Sequence, residues 1–382
     1  MPFAAALSQH PMATQATGEV AGSVLEALGP APDLAVLFVS TAHAGALEDI
    51  AGAVRQVLAP DVLIGCTAGS VVGGDHEVEG GPAVSLWAAR VPSVTPLRLL
   101  AQRQDDGMVI AGVPSPELID EDRRVMLVLA DPFSFPTDSF LTGLREQVGL
   151  DLPVVGGLAS AAQGPGGNRL VLGSEVLAEG GVAVVIGGVE VSTVVSQGCR
   201  PIGDPMTVTR GDQHLIHELA GRPALDRVQE LVASLAPDDL VLAQQGLHVG
   251  RVIDERKLDY GRGDFLIRSV LGADRDTGAV AVGDQIDVGD TVQFQVRDAT
   301  SADEDLRALM APGQAGGALL FTCNGRGSSL FGDADHDAAI VSQALAGAPV
   351  AGMSCAGEIG PVGGTSFLHG FTASVALFSD PA

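Results

Sequence analysis

The sequence predicts an α/β protein made of repeated strand-helix-strand units with mixed sheets, arranged as two associated domains. Three observations carry this expectation: apolar runs of strand length, stretches of 3.6-residue period between them, and the return of that order three times along 382 residues. A chain of this length has room for two or three cores.

In the first unit DLAVLFVS (33–40) leads through an amphipathic stretch to VLIGCTAG (62–69) and then PAVSLWAA (82–89). Leu47, Ile50, Ala51, Val54 and Leu58 fall on one helical face there. The second unit runs from RVMLVLADP (124–132) to LPVVGGLA (152–159) and GGVAVVIG (180–187), with Phe140, Leu141, Leu144 and Val148 as the helix stripe and Asp138 as its N-cap. The third runs from GALLFTCNGRG (317–327) to APVAGMSCAG (348–357) and FTASVALF (371–378), around Ile340, Val341, Ala344 and Leu345. The first strand of each unit is apolar throughout, as expected when both faces are covered. A helical crossover then implies a parallel pair. Each second strand is expected to end at a glycine, Gly65, Gly156 or Gly352, and to open a loop where α/β sheets hold ligands.

Different material lies between units two and three. PALDRVQELVASL (223–235) reads as a helix, FLIRSVLG (265–272) and AVAVGD as a hairpin, and VQFQVRDA (292–299) as a strand with one wet face. Ser301 and Glu304 have the spacing of a capping box. The expected domains are therefore 1–210, holding units 33–90 and 124–190, and 211–382, holding the inserted helix and hairpin and unit 316–378.

The net charge of −26, with Lys257 the only lysine, disfavours a phosphate backbone, so nucleic acid is not an expected partner. The apolar passage 180–191 is too short to span a bilayer and carries Glu190. The start lacks a signal-peptide pattern, and a cytoplasmic location is expected. Cys66, Cys199, Cys323 and Cys355 lie far apart, which argues against a zinc ribbon and a disulfide framework. No phosphate-binding loop, complete G-x-G-x-x-G, G-x-S-x-G or H-E-x-x-H is present, so neither cofactor nor metal is expected.

What remains is a set of polar residues in apolar or glycine-rich contexts. Arg268 stands among Leu266, Ile267 and Val270, and desolvation demands that it meet an acid such as Asp298 or Glu358, or a ligand carboxylate. Arg297 is expected on the wet face with Gln293 and Gln295. The loop Cys323, Asn324, Gly325, Arg326, Gly327 leaves a buried strand, Glu358 occupies a second loop of the same unit, and His369 returns to the neighbouring strand. Arg326 suits an anionic group and Glu358 an ammonium, which together describe an amino-acid-like ligand.

The segments DLAVLFVS, LIGCTAGSVVGG, EVEGGPAVSLWAA and 180–191 resemble the N-terminal FIST domain (F-box and intracellular signal transduction). GRPALD, GDFLIRSVLG, VQFQVRDA, LLFTCNGRG, FGDADHDA, GEIGPV and FLHGFTAS resemble the C-terminal FIST domain. The resemblance covers about residues 33–378. It implies an intracellular sensory module that binds a small molecule such as an amino acid and passes the signal to a protein partner. Two other functions fit the residues: an interaction adaptor with no small ligand, and an enzyme that pairs Cys323 or Cys355 with His369.

Overall fold

The structure is a computed structural model that describes residues 2–104, 107–114, 123–148, 152–311 and 315–379. The chain forms two compact units. The first comprises Met1–Val195, Leu306–Leu368 and Thr372–Ala382; the second comprises Ser196–Asp305 and His369–Phe371.

In the first unit one connection recurs in three segments. Leu34–Ser40, the helix Leu47–Leu58 and Val62–Ala68 give a parallel pair, and Val84–Ala89 returns antiparallel on the far side of Leu34–Ser40. Arg123–Ala130, the helix Thr137–Val148, Val154–Leu158 and Gly181–Gly187 repeat this arrangement. So do Gly317–Cys323, the helix His336–Ala344, Val350–Cys355 and Thr372–Phe378. A hairpin follows the second strand in each segment and pairs with a different segment. Ser70–Gly73 and His76–Glu79 extend the edge of Val350–Cys355. Leu170–Leu172 and Glu175–Leu177 extend Val62–Ala68. Glu358–Val362 and Thr365–His369 extend Val154–Leu158. The exchange is cyclic, so every sheet contains strands from two segments.

Each sheet turns one face to a common core that includes Val36 and Phe38, Leu127 and Leu129, and Phe321 and Met353. Phe3, Trp87 and Phe378 cluster there with ring centroids 4.9–5.8 Å apart. The opposite faces are covered by helices: Ala13–Leu28 and Leu47–Leu58 on the first sheet, Thr137–Val148 on the second, and Ala299–Met310 with His336–Ala344 on the third. Covering both faces accounts for the unbroken apolar runs.

The glycines Gly65, Gly156 and Gly352 do not end their strands, as the sequence suggested, but lie inside them. Each is the register partner of a residue on the parallel neighbour, namely Leu37, Val128 and Leu320. A Cβ would stand 2.4, 1.9 and 1.9 Å from the carbonyl oxygens of these residues, so only glycine permits the approach.

Six antiparallel strands of the second unit close into a barrel: Met206–Asp212, Leu215–Leu219, Val280–Val282, Phe265–Ala273, Leu247–Val252 and Thr291–Arg297, which pairs back to Met206–Asp212. Val208, Ile216, Val249, Val280, Phe294 and Val296 belong to its core. Closure removes the wet face expected of 292–299: Gln293 and Gln295 are buried because the strand has neighbours on both sides and cover on both faces. The capping expectation is also corrected. Asp298, not Ser301, accepts the Thr300 and Ser301 amides at the start of the helix Ala299–Met310. Asp138 falls within the first turn of its helix, which begins at Thr137.

Gly156→Ala and Gly352→Ala are each expected to lower folding stability by more than about 1 kcal/mol, measured by urea denaturation, since the new methyl must displace a strand carbonyl.

Candidate functional site

The chemistry of the first unit concentrates at the carboxyl end of the third segment's parallel pair. Gly317–Cys323 ends where the Arg326 amide donates to the Cys323 carbonyl at 2.9 Å. Gly327, with φ of +59°, turns the chain into the short helix Ser328–Phe331. This tight turn sends the Arg326 side chain inward, where it is fully buried.

Arg326 meets Asp337, a residue of the first turn of His336–Ala344, through Nε to Oδ2 at 2.6 Å and Nη2 to Oδ1 at 2.8 Å. Thr322 Oγ1 donates to Oδ2 at 2.6 Å, and His336 Nδ1 lies 3.0 Å from Oδ1. Burial opposes ionisation of Asp337, but the Arg326 charge and these hydrogen bonds outweigh it and hold the carboxyl below its usual range. The guanidinium also lies over the Phe331 ring, 5.2 Å from its centroid. Arg326 Nη1 is buried and has no hydrogen-bond partner among the described residues.

Glu358 is fully buried at the start of Glu358–Val362, opposite Gly157 in the register. Its Oε2 accepts from the Thr372 amide at 3.1 Å and from the Thr372 hydroxyl at 2.8 Å. Burial pushes its carboxyl up to about 8, against the lowering effects of the Thr372 and Cys323 hydrogen bonds and the Arg326 charge. Oε1 is buried and has no hydrogen-bond partner among the described residues. A neighbouring carboxyl, Glu77, accepts the Ala338 amide at 2.9 Å; burial, and then the Asp337 charge, push it up to about 7.

Cys323 is partly exposed, while Cys66, Cys199 and Cys355 are buried; none of the four is in a disulfide. Burial raises the Cys66 and Cys355 thiols. Asn324 is exposed, and its Oδ1 lies near Gly69.

The remaining predicted residues belong to the second unit. Arg268 is largely buried and contacts a carboxylate, but the partner is Asp284, 3.0 Å from Nε, with Arg251 sharing the same oxygen at 3.5 Å. Asp298, proposed as that partner, instead pairs with Arg200 at 2.6 Å. The Arg297 guanidinium lies 5.4 Å from the centroid of Phe371, whose ring also packs edge-on against His248 at 4.4 Å. Burial and the Arg297 charge push His248 down to about 4. His369 is buried at the end of Thr365–His369.

Sequence reasoning missed Asp337, Glu77, Thr322 and Thr372. The rule that a buried arginine needs an acid applies to Arg326 as it does to Arg268, and Asp337 lies only eleven positions on. Among the described residues no cluster of three or more His, Cys, Asp or Glu is arranged to hold a metal. A cleft of about 290 Å³ elsewhere in the first unit is lined by Leu47, Glu48, Gly167 and Arg169, among others, and by none of the predicted residues.

Two measurements test the electrostatics of this cluster. Glu358 and Glu77 bind protons more tightly folded than unfolded, where the ordinary value is 4.5. Their stabilisation is therefore full at the acid end and is lost as pH rises through about 7 and about 8. The Asp337 contribution has the opposite sign, being present above the ordinary value of 3.8 and lost as pH falls through its lower folded value. Urea midpoints are expected to decline from about pH 5 to about pH 9, with a flatter slope in Glu358→Gln. Asp337→Asn, which strands the buried guanidinium, is expected to cost about 3–5 kcal/mol by the same denaturation measurement.

Comparisons with known proteins divide the chain along the sequence rather than by compact unit. Residues 33–222 match the FIST N domain and 224–361 the FIST C domain. An uncharacterised protein of Mycobacterium bovis is 46% identical over 380 residues, covering 97% of each chain. An uncharacterised protein of Mycobacterium tuberculosis is 45% identical over 390 residues, covering all of both chains. Described by domain and by relatives alike, the chain belongs to the FIST family, whose domains are signal-transduction sensor modules.

Proposed function

We propose that this chain is a sensor that binds a small carboxylate, amino-acid-like in chemistry, at Arg326 and Glu358, and signals through a change of conformation or of protein partner in the cytoplasm. The observation that carries this reading is the pair of buried polar atoms without partners, Arg326 Nη1 and Glu358 Oε1, in one electrostatic cluster. An unpaired buried polar group costs about 1–3 kcal/mol, so a ligand that satisfies both gains what the empty fold forfeits. Asp337 holds the other edge of the guanidinium and leaves Nη1 as the edge for recognition. With its carboxyl raised to about 8, Glu358 keeps its proton at neutral pH and adds a second donor for a ligand carboxylate. When ionised, it accepts from a ligand ammonium. Cys323 and Asn324 stand on the exposed side of the same turn. In the second unit, Arg268, Arg297 and His369 remain candidates for ligand contact.

The test is a thermal-shift screen of amino acids and small carboxylates. A ligand at a hundredfold its dissociation constant stabilises the fold by about 2.7 kcal/mol, a rise of roughly 5 °C for a domain of this size. Glu358→Gln is expected to reduce that shift by at least half while the unliganded protein still melts cooperatively. A panel that moves the melting temperature of neither protein removes the small-molecule basis of the reading.

A further inference from the structure

Arg326 is fully buried, and the ring of Phe331 lies across the face of its guanidinium, with 5.2 Å between ring centroid and charge. Phe331 ends the short helix Ser328–Phe331, and the chain from 328 to 335 is exposed or half-buried throughout. On this side the segment is the layer between the arginine and solvent. Little apolar burial holds it there. Neither Leu330 nor Phe331 packs into one of the hydrophobic cores formed by the described residues. Its backbone hydrogen bonds are local: the Leu330 and Phe331 amides donate to the Gly327 carbonyl at 3.1 and 3.0 Å, and the Gly332 amide to the Ser328 carbonyl at 3.0 Å. Phe331 also stacks on His336, with ring centroids 3.4 Å apart.

Both ends of the segment are pinned to one strand, His76–Glu79. At the front, Glu79 accepts from the Ser328 amide at 2.9 Å and from the Ser328 hydroxyl. At the back, Asp335 accepts the Glu77 amide at 2.6 Å and lies 3.2 Å from His76 Nδ1. Gly327 and Gly332 have φ of +59° and +82°. A Cβ at Gly327 would stand 2.4 Å from Glu79 Oε1, so glycine is what lets the front contact form. A segment with few buried apolar contacts and exposed backbone hydrogen bonds opens at lower cost than the core beneath it.

We propose that residues 328–335 are a hinged cover, latched by Glu79, which lifts Phe331 off the Arg326 guanidinium and so admits a small carboxylate to Nη1. Gly327 and Gly332 take up the rotation once the Glu79 hydrogen bonds are released. The Arg326–Asp337 pair stays in place, because Asp337 belongs to the helix beyond the cover. What passes beneath the cover rests on the reading above; the opening itself does not.

Hydrogen exchange of the full-length protein without ligand, followed by mass spectrometry, tests the opening. Amides of the cover are expected to exchange at least about tenfold faster than those of Gly317–Cys323. Glu79→Ala is expected to speed exchange in the cover by about fivefold or more, with Gly317–Cys323 and His336–Ala344 changed by less than about twofold. Access to the guanidinium is read with the arginine reagent phenylglyoxal and peptide mapping. Arg326 is expected to be modified about fivefold or more faster in Glu79→Ala than in the wild type, in step with exchange. Cover amides that exchange no faster than Gly317–Cys323 overturn the proposal, as does a Glu79→Ala protein that melts cooperatively and exchanges like the wild type. Faster exchange with unchanged modification of Arg326 also overturns it, since the segment then moves without uncovering the site. None of these readouts contains a carboxylate, so a failed ligand screen and a failed cover are separate results.

Discussion

A parallel strand pair joined by a helix leaves the outer edge of its second strand unpaired, and an exposed edge of that kind invites association with other chains. In the first unit this edge occurs three times, on Val62–Ala68, Val154–Leu158 and Val350–Cys355. Each is closed by a hairpin from another segment, so the backbone hydrogen bonds that complete one sheet depend on the folding of a second. The rest of the unit follows from this exchange. It brings residues 306–368 into one body with the N-terminal segments, and it allows three sheets to share the core around Phe38, Phe321 and Trp87.

The same exchange builds the candidate site. The Glu358 hairpin leaves the third segment to pair with Val154–Leu158, while Thr372, which binds the Glu358 carboxyl, begins the third segment's own returning strand. Glu77 reaches the first turn of His336–Ala344 because its hairpin crosses from the first segment to the third. Polar groups from different segments thus meet at helix and strand ends, while the sheet faces remain apolar. Within this cluster Arg326 and Asp337 satisfy each other, and the mismatch is left at Nη1 and Glu358 Oε1. Buried mismatches of this kind are costly and recur where a fold receives a ligand or performs chemistry.

The two units solve the edge problem differently. The second unit closes its antiparallel strands into a barrel, which has no edge to pair along the closed ring. Its arginines are held by carboxylates of the same unit, Arg268 by Asp284 and Arg200 by Asp298. The first unit instead relies on strands distant in sequence, as in the pairing of Gly73 with Ala351.

The alternation of strands and helices in the three segments was legible in the sequence because it rests on local periodicity: Ile50, Val54 and Leu58 mark a buried helix face whatever lies opposite. The burial of Arg268 against a carboxylate was legible for a similar reason, since the desolvation cost belongs to the residue and its immediate neighbours. The identity of its partner was not, because Asp284 reaches it only after a barrel strand has paired. Gly65, Gly156 and Gly352 were visible as a matched set, yet their place inside the strands depends on carbonyls of the adjacent strand. The wet face assigned to 292–299 failed because alternation reports which residues are polar and not which faces are covered. Sequence alone therefore determined the local elements and the charges that need compensation. Tertiary structure decided which edge each hairpin closes and which acid meets each arginine, because pairing between distant segments is a property of geometry that short-range pattern does not encode.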